Sequence, residues 1–127
     1  MMNGQQPRAL IVDDTEDVAD LVAAIFRQAG FSARVCYSAP DALEAAKGEL
    51  FPVVLSDIAM PRMNGYELAA ALRAIPAYRR SALIAVTGMS MYDDRARSFA
   101  AGFDYHFTKP IEAVTFISFL VRLKDEI

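Results

Sequence analysis

The run Val53-Val54-Leu55-Ser56-Asp57 decides the predicted fold of this chain. Its first three residues are apolar, and Pro61, Asn64 and Gly65 predict a loop behind it before the next helical pattern begins. A strand that is apolar on both faces is typical of the middle of a parallel sheet. Open α/β sheets bind ligands outside the carboxyl ends of their strands, so we expect Asp57 to face a binding crevice.

The composition of the 127-residue chain indicates one compact domain. A hydrophobic content of 54% argues against disorder. The net charge of −3 offers no basic surface for nucleic acid, and the apolar runs are too short and interrupted to span a bilayer. The single cysteine, Cys36, cannot form an internal disulfide, and residues 1–7 lack the apolar core of a signal peptide. We therefore expect a cytoplasmic protein with neither a nucleic-acid nor a membrane partner.

Five short apolar runs alternate with five helical patterns along the chain. The predicted strands are 9–12, 32–37, 53–57, 82–86 and 104–108. The predicted helices are 15–29, 38–48, 65–75, 93–101 and 111–127. This alternation predicts an α/β fold in which right-handed crossovers build a parallel sheet with helices on both faces. Acids end the first and third strands, so we expect these strands to be neighbours in a sheet of order 2-1-3-4-5.

Five polar residues fall at the carboxyl ends of the predicted strands: Asp13, Asp14, Asp57, Thr87 and Lys109. Either acid of the first pair, taken alone, could equally cap the next helix. Close carboxylates repel, by roughly 4 kcal/mol for a pair about 4 Å apart at an effective dielectric of about 20. The cluster therefore favours a divalent cation that prefers oxygen ligands, such as Mg²⁺. A cation, a lysine and a hydroxyl around one carboxylate are typical of phosphoryl-transfer sites.

Four motifs together resemble the response-regulator receiver domains of bacterial two-component signalling. They are Val12-Asp13-Asp14, Ser56-Asp57-Ile58-Ala59-Met60-Pro61 with Asn64-Gly65, Ala85-Val86-Thr87-Gly88 and Phe107-Thr108-Lys109-Pro110. The resemblance implies a flavodoxin-like receiver domain over residues 8–127, preceded by a flexible N-terminus at 1–7. It also implies a phosphorylation-dependent signalling switch that acts through protein contacts and is not an enzyme for other substrates.

The same resemblance implies a phosphoacceptor and a metal site. Asp57 would accept the phosphoryl group and form an aspartyl-phosphate. Asp14 would bind Mg²⁺ directly and Asp13 would bind it through water, while Asp57 and the backbone carbonyl of Ala59 would complete the protein ligands. Mn²⁺ could replace Mg²⁺.

The remaining motif residues would respond to the phosphoryl group. The resemblance implies that Lys109 neutralises its charge, that Thr87 hydrogen-bonds it, and that the Lys109–Pro110 peptide is cis. His106 stands where the family more often has Tyr or Phe as a switch residue coupled to Thr87. It could be that switch, a pH-sensitive variant of it, or an ordinary edge-strand histidine.

Two side chains near the phosphoacceptor suggest a slow loss of the phosphoryl group. Ala59 and Met89 lie two residues beyond Asp57 and Thr87, where side chains of this family influence how water reaches the phosphoryl group. Neither side chain can hydrogen-bond a water molecule. We therefore expect a comparatively long-lived aspartyl-phosphate.

The last predicted helix is more apolar than packing of one face requires. One stripe holds Phe116, Leu120, Leu123 and Ile127, and further apolar residues, Val114, Ile117, Phe119 and Val121, widen it. The helix could make a broad core contact, or it could form an interface on the face that contains His106. Such an interface would serve a homodimer or a downstream protein target.

The phosphoryl donor implied by the resemblance is a histidine kinase or a histidine phosphotransfer protein. The sequence leaves open whether the chain acts alone or as the receiver of a hybrid kinase. A phosphohydrolase with an aspartyl nucleophile would need a second acid where Ala59 stands. A flavin-binding module would need a hydroxyl- and glycine-rich phosphate loop where the acidic segment 13–17 stands.

Overall fold

A computed structural model describes residues 6–88 and 92–127 of the chain, with the backbone alone at 92–94. Its strands are β1 (Arg8–Val12), β2 (Ser32–Cys36), β3 (Val53–Asp57), β4 (Ala82–Thr87) and β5 (Tyr105–Thr108). Its α-helices are α1 (Glu16–Gln28), α2 (Ala39–Gly48), α3 (Gly65–Arg73), α4 (Tyr92–Ala101) and α5 (Ala113–Glu126). All strands pair in parallel in the order β2-β1-β3-β4-β5, which confirms the predicted fold class and strand order.

The structure shifts several predicted boundaries by one or two residues. Helix α5 begins at Ala113 and not at 111, because the Glu112 carboxylate caps it by accepting hydrogen bonds from the amides of Val114 and Thr115. Helix α3 ends at Arg73, and a short 3-10 helix (Pro76–Tyr78) follows it. Of the N-terminal segment that the sequence predicts to be flexible, residues 1–5 lie outside the described part of the chain.

The sheet separates two hydrophobic cores. Alternate strand residues such as Ile11, Leu55 and Ile84 pack with α1 and α5 on one face. Their neighbours, such as Leu10 and Val54, pack with α2 and α3 on the other face. Every residue of β3 is buried, as expected of the central strand of a covered parallel sheet. None of the described helices has the length and apolar character needed to cross a membrane.

Helix α3 starts in close contact with the end of β3. A Cβ atom added at Gly65 would meet the carbonyl oxygen of Asp57, so this position needs glycine. The Gly65 amide donates to the carbonyl of Ile58 at 2.9 Å, and an Asn64–Glu67 capping box closes the first turn of the helix. The loop that the sequence predicts after β3 therefore holds the Asp57 backbone rigidly against α3.

Helix α5 contributes only part of its wide apolar surface to the core. Phe116, Leu120 and Leu123 are buried, whereas Ile127, predicted to continue their stripe, is 53% exposed. Phe119 packs its ring against those of Tyr105, Phe107 and Phe116. Val114 and Val121 are 71% and 45% exposed. The helix therefore makes a broad aromatic core contact and also leaves apolar side chains at the surface.

Tyr78 joins three segments at the end of the sheet opposite Asp57. Its side chain is 1% exposed, and its hydroxyl lies 2.9 Å from the Ala46 carbonyl and 2.7 Å from the Glu49 carbonyl. The same hydroxyl accepts a hydrogen bond from the Phe51 amide at 3.2 Å. One phenol thereby satisfies backbone groups at the end of α2 and in the segment that leads into β3.

We expect Tyr78→Phe to lower the free energy of unfolding by about 2 kcal/mol, because it leaves buried backbone groups without their hydrogen-bond partner. Urea denaturation followed by circular dichroism measures the change. Tyr37→Phe is the matched control, since the Tyr37 hydroxyl bonds Asp20 at 2.9 Å on a side chain that is 40% exposed. Water can replace that partner, so the control should lose little stability. Equal losses in both variants would contradict this account of Tyr78.

Candidate functional site

Three acids meet at the carboxyl ends of β1 and β3. Val12 pairs with Ser56 across these strands, so the residues that follow, Asp13 and Asp57, are placed side by side. One carboxylate oxygen from each of Asp13, Asp14 and Asp57 lies within 4.8 Å of the other two. Asp13 and Asp57 are buried and Asp14 is exposed, so the cluster is shielded from solvent at the sheet and reaches solvent at Asp14.

Backbone hydrogen bonds fix the two buried carboxylates. Oδ1 of Asp57 accepts from the Ile58 amide at 2.9 Å. Oδ1 of Asp13 accepts from the Thr15 amide at 2.9 Å, next to the start of α1. Thr15 is the N-cap residue of α1, so this hydrogen bond orders the residue before the helix and does not cap its first turn. Oδ2 of Asp13 faces Lys109 in the cluster.

Lys109 brings a positive charge into the acidic cluster. Its Nζ atom lies 3.1 Å from Oδ2 of Asp13 and 3.5 Å from Oδ2 of Asp57. The Lys109 amide donates to the carbonyl of Thr87 at 2.7 Å, which links the ends of β4 and β5. Thr87 is buried, and the Lys109–Pro110 peptide is cis.

The charges perturb one another because the site is partly removed from water. Burial, and then the charge of Asp13, raise the pKa of Asp57 above its usual range, although Lys109 opposes the shift. Burial alone would lower the pKa of Lys109, but its hydrogen bond to Asp13 and the charge of Asp57 raise it above its ordinary value. Three carboxylates around one ammonium leave an excess of negative charge, and a divalent cation would neutralise this excess.

Two exposed residues follow the carboxyl ends of β3 and β4. Ala59 is exposed in the loop after β3, and Gly88 is exposed after β4. A Cβ atom added at Gly88 would meet no described atom within 4 Å. Met89, which the sequence places near Gly88, lies outside the described residues.

His106 lies on β5, and its side chain turns toward α4. Its Nδ1 atom is 3.0 Å from the Ser98 hydroxyl. Its neighbours Tyr105 and Phe107 point to the other face of the sheet, where their rings pack on the α5 residue Phe119. The surface formed by α5 and the side chain of His106 are therefore on different sides of β5.

An apolar groove, which sequence reasoning missed, adjoins the acidic cluster. It has a volume of about 340 Å³ and begins at Asp13 and Lys109. Its walls are apolar side chains of α1 and of the segment before α5: Val18, Leu21, Ile25, Pro110 and Ile111. Leu21 is 63% exposed although it follows the apolar period of α1. That period places Leu21 on the core side of the helix and so gives no sign of the groove.

A family model described as the response regulator receiver domain matches residues 9–120. The histidine-protein kinase BarA of Escherichia coli strain K12 is 30% identical over 115 residues, which are 91% of this chain and 12% of that protein. The chain thus spans a small part of this relative. The chemotaxis response regulator CheY4 of Vibrio cholerae superposes with a TM-score of 0.87 at 25% identity, over 94% of this chain and 99% of that one.

A further solved structure, the receiver domain of the sensor histidine kinase PA1611 from Pseudomonas aeruginosa PAO1, shares the fold. It superposes with a TM-score of 0.83 at 24% identity, over 93% of this chain and 97% of that one, and it holds a magnesium ion in its active-site cleft. The match to the family model covers nearly the whole chain. The chain belongs to the family of response regulator receiver domains, the phosphoacceptor modules of two-component signalling.

Proposed function

We propose that this receiver domain works as a signalling switch whose phosphoacceptor is Asp57. The observation that carries the proposal is the position of this carboxylate. It is almost fully buried, lies 3.5 Å from the Lys109 ammonium group, and ends a strand after which the exposed residue Ala59 follows. In the reaction, a carboxylate oxygen attacks the phosphorus of a phosphohistidine and the P–N bond breaks. The imidazole nitrogen keeps the bonding electrons, and the chain carries an acyl phosphate.

Asp13, Asp14 and Asp57 would hold Mg²⁺, together with the backbone carbonyl of Ala59. The residues fit this ion because they offer clustered carboxylate oxygens and an excess of negative charge, and because few protein ligands leave room for water and phosphoryl oxygens. When bound, the ion would neutralise charge on the transferred group. Mn²⁺ would substitute for it, since both ions favour carboxylate and water ligands.

Lys109 and Thr87 would bind the oxygens of the transferred group. Lys109 already lies between Asp13 and Asp57, so its ammonium group can reach an oxygen carried by Asp57 with a small movement. Thr87 ends β4 next to β3, where Val86 pairs with Asp57. His106, two register positions before the end of β5, would report the change at Thr87 as the switch residue.

The phosphoryl donor, a histidine kinase or a histidine phosphotransfer protein, would dock on the apolar groove beside Lys109. The groove is continuous with the acidic cluster, so a helix that fills it would bring its histidine to Asp57. Leu21 offers an exposed apolar contact for such a helix. This surface would give the donor specificity, while the acids supply the chemistry common to the family.

Output would pass through protein contacts, either to a downstream target or in a homodimer. The exposed side chains Val114 and Val121 of α5 offer apolar contacts for such an interface. β5 is the edge strand of the sheet, with α5 on one side and α4 on the other. The His106 side chain points to α4, so it would join such an interface from the α4 side of β5. The chain would catalyse its own phosphorylation and slow dephosphorylation and no reaction of another substrate.

We expect the protein to gain the mass of one phosphoryl group when it is incubated with acetyl phosphate and Mg²⁺. Asp57→Asn should gain none, because the amide is not a nucleophile for phosphorus. Intact-mass spectrometry measures both. If the small donor fails, a phosphorylated histidine kinase takes its place. A parent protein that gains no mass from either donor would contradict the proposal.

Asp57→Asn should raise the melting temperature of the metal-free protein at neutral pH by a few degrees. Since the folded state raises the pKa of Asp57, stability from this group is present at low pH and is lost as the pH rises through the folded-state pKa. The neutral amide removes that loss, so its advantage should shrink as the pH falls toward about 4, the ordinary value for Asp. Thermal unfolding across this pH range measures the effect.

Mg²⁺ should stabilise the parent protein more than Asp57→Asn, because the ion binds the ionised carboxylate. Asp125→Asn, which removes an exposed acid at the end of α5, is the control and should follow the parent at every pH. The account of the cluster would be wrong if the parent and Asp57→Asn melted together with and without the ion.

Ala59→Asn should shorten the lifetime of the aspartyl-phosphate several-fold, because an exposed amide there could orient water toward the phosphorus. The decay of the phosphorylated mass after removal of the donor measures it. Ala24→Asn, on an exposed position of α1, is the control. An unchanged decay rate in Ala59→Asn would refute the expectation of a long-lived phosphate.

A further inference from the structure

A polar side-chain pair connects α4 with β5. The Ser98 hydroxyl and Nδ1 of His106 lie 3.0 Å apart, with Ser98 fully buried and His106 half-buried. A buried hydroxyl is stable only with a hydrogen-bond partner, so separating α4 from β5 would leave this group unsatisfied unless water reached it. The pair is therefore either formed or broken.

The described side chains of α4 bury little apolar surface. Among its described side chains, those of 95–101, Ser98 is the buried one and Ala101 is partly buried. The other described side chains face solvent, including Phe99 at 46% exposure. Helices in folded proteins are held chiefly by an apolar face, as α3 is by Leu68 and Leu72. In α4 the buried residue among the described side chains is a serine, Ser98.

A further contact joins α4 to α3 and is exposed to water. The Arg97 guanidinium lies over the ring of Tyr66 in α3, 4.4 Å from its centroid. Arg97 is exposed, so water competes for its charge. Among the described side chains of α4, Ser98 is therefore the buried one that contacts β5, through His106.

His106 is joined to the phosphoacceptor site through the backbone of β5. It pairs with Ala85 in the register of β4, and Thr108 pairs with Thr87 farther along the same two strands. The next residue, Lys109, donates its amide hydrogen to the carbonyl of Thr87. A shift of the β4 and β5 ends around a ligand would therefore move His106 relative to Ser98.

We propose that Ser98 is a positioning residue whose hydrogen bond with His106 holds α4 against β5 and transmits a change at the Thr87–Lys109 site to α4. The holding role stands on the geometry of the pair alone, and the transmitting role rests on the function proposed for Asp57. The contact suits transmission because the hydrogen bond of the buried Ser98 hydroxyl is either formed or broken, which gives α4 two discrete states.

The test measures hydrogen exchange of the α4 backbone amides in the full chain. Ser98→Ala and His106→Phe should each speed this exchange about tenfold, because each removes one partner of the bond that holds the helix. His106→Asn should stay close to the parent, since its amide can place a hydrogen-bonding atom near Nδ1. The double variant Ser98→Ala with His106→Phe should exchange no faster than the faster single variant, as expected of two residues that share one interaction.

Ser81→Ala is the matched control. Ser81 is also a buried serine with one hydrogen bond, which its hydroxyl donates to the Phe51 carbonyl at 2.8 Å, but it lies at the start of β4. It should leave α4 exchange unchanged relative to the rest of the chain. The proposal is overturned if Ser98→Ala affects α4 no more than this control, or if the effects of Ser98→Ala and His106→Phe add in full.

Phosphorylation supplies the second half of the test. With acetyl phosphate and Mg²⁺, the parent should change its α4 exchange, whereas Ser98→Ala should gain the same mass without that change. An equal response of α4 in both proteins would overturn the transmitting role. A parent that gains no mass would contradict the function proposed for Asp57, and the exchange of the untreated variants would still decide whether the pair holds α4.

Discussion

Repulsion among carboxylates is the constraint on which the functional end of this protein depends. The parallel pairing of β1 and β3 forces Asp13 and Asp57 together, and burial strengthens their interaction. Lys109 relieves part of the repulsion from the end of β5. Burial makes this repulsion costly while all three carboxylates are ionised, and a bound cation would lower that cost.

The rest of the fold can tolerate such a site because its stability is concentrated elsewhere. Strand β3 is buried along its whole length, and α3 is packed so closely on its end that Gly65 has no room for a side chain. At the opposite end of the sheet, the Tyr78 hydroxyl satisfies backbone groups of α2 and of the segment before β3. Strong packing thus fixes the backbone of Asp57, so changes in charge act on side chains and on the neighbouring strand ends.

The two faces of β5 are packed in different ways. Tyr105 and Phe107 pack their rings against the α5 residues Phe116 and Phe119 in an aromatic core. His106 meets Ser98 of α4 through a hydrogen bond that can be broken. Because Lys109 directly follows β5, these two contacts lie on either side of the strand that brings this lysine to the acidic cluster. The reversible contact is the one suited to report the state of the site.

The sequence by itself determined the order of the elements, the parallel sheet and the rim on which Asp13, Asp14, Asp57, Thr87 and Lys109 fall. Each of these follows from local patterns, namely apolar period, turn residues and the polar residue that ends a strand. Away from these strand ends, tertiary structure alone decided which side chains of different elements are in contact. The pairing of Ser98 with His106, the hydrogen bonds of Tyr78 and the exposure of Leu21 beside the groove have no local signature. They depend on where a helix crosses a strand and on how far the next segment covers it, and these distances are set only when the two cores pack.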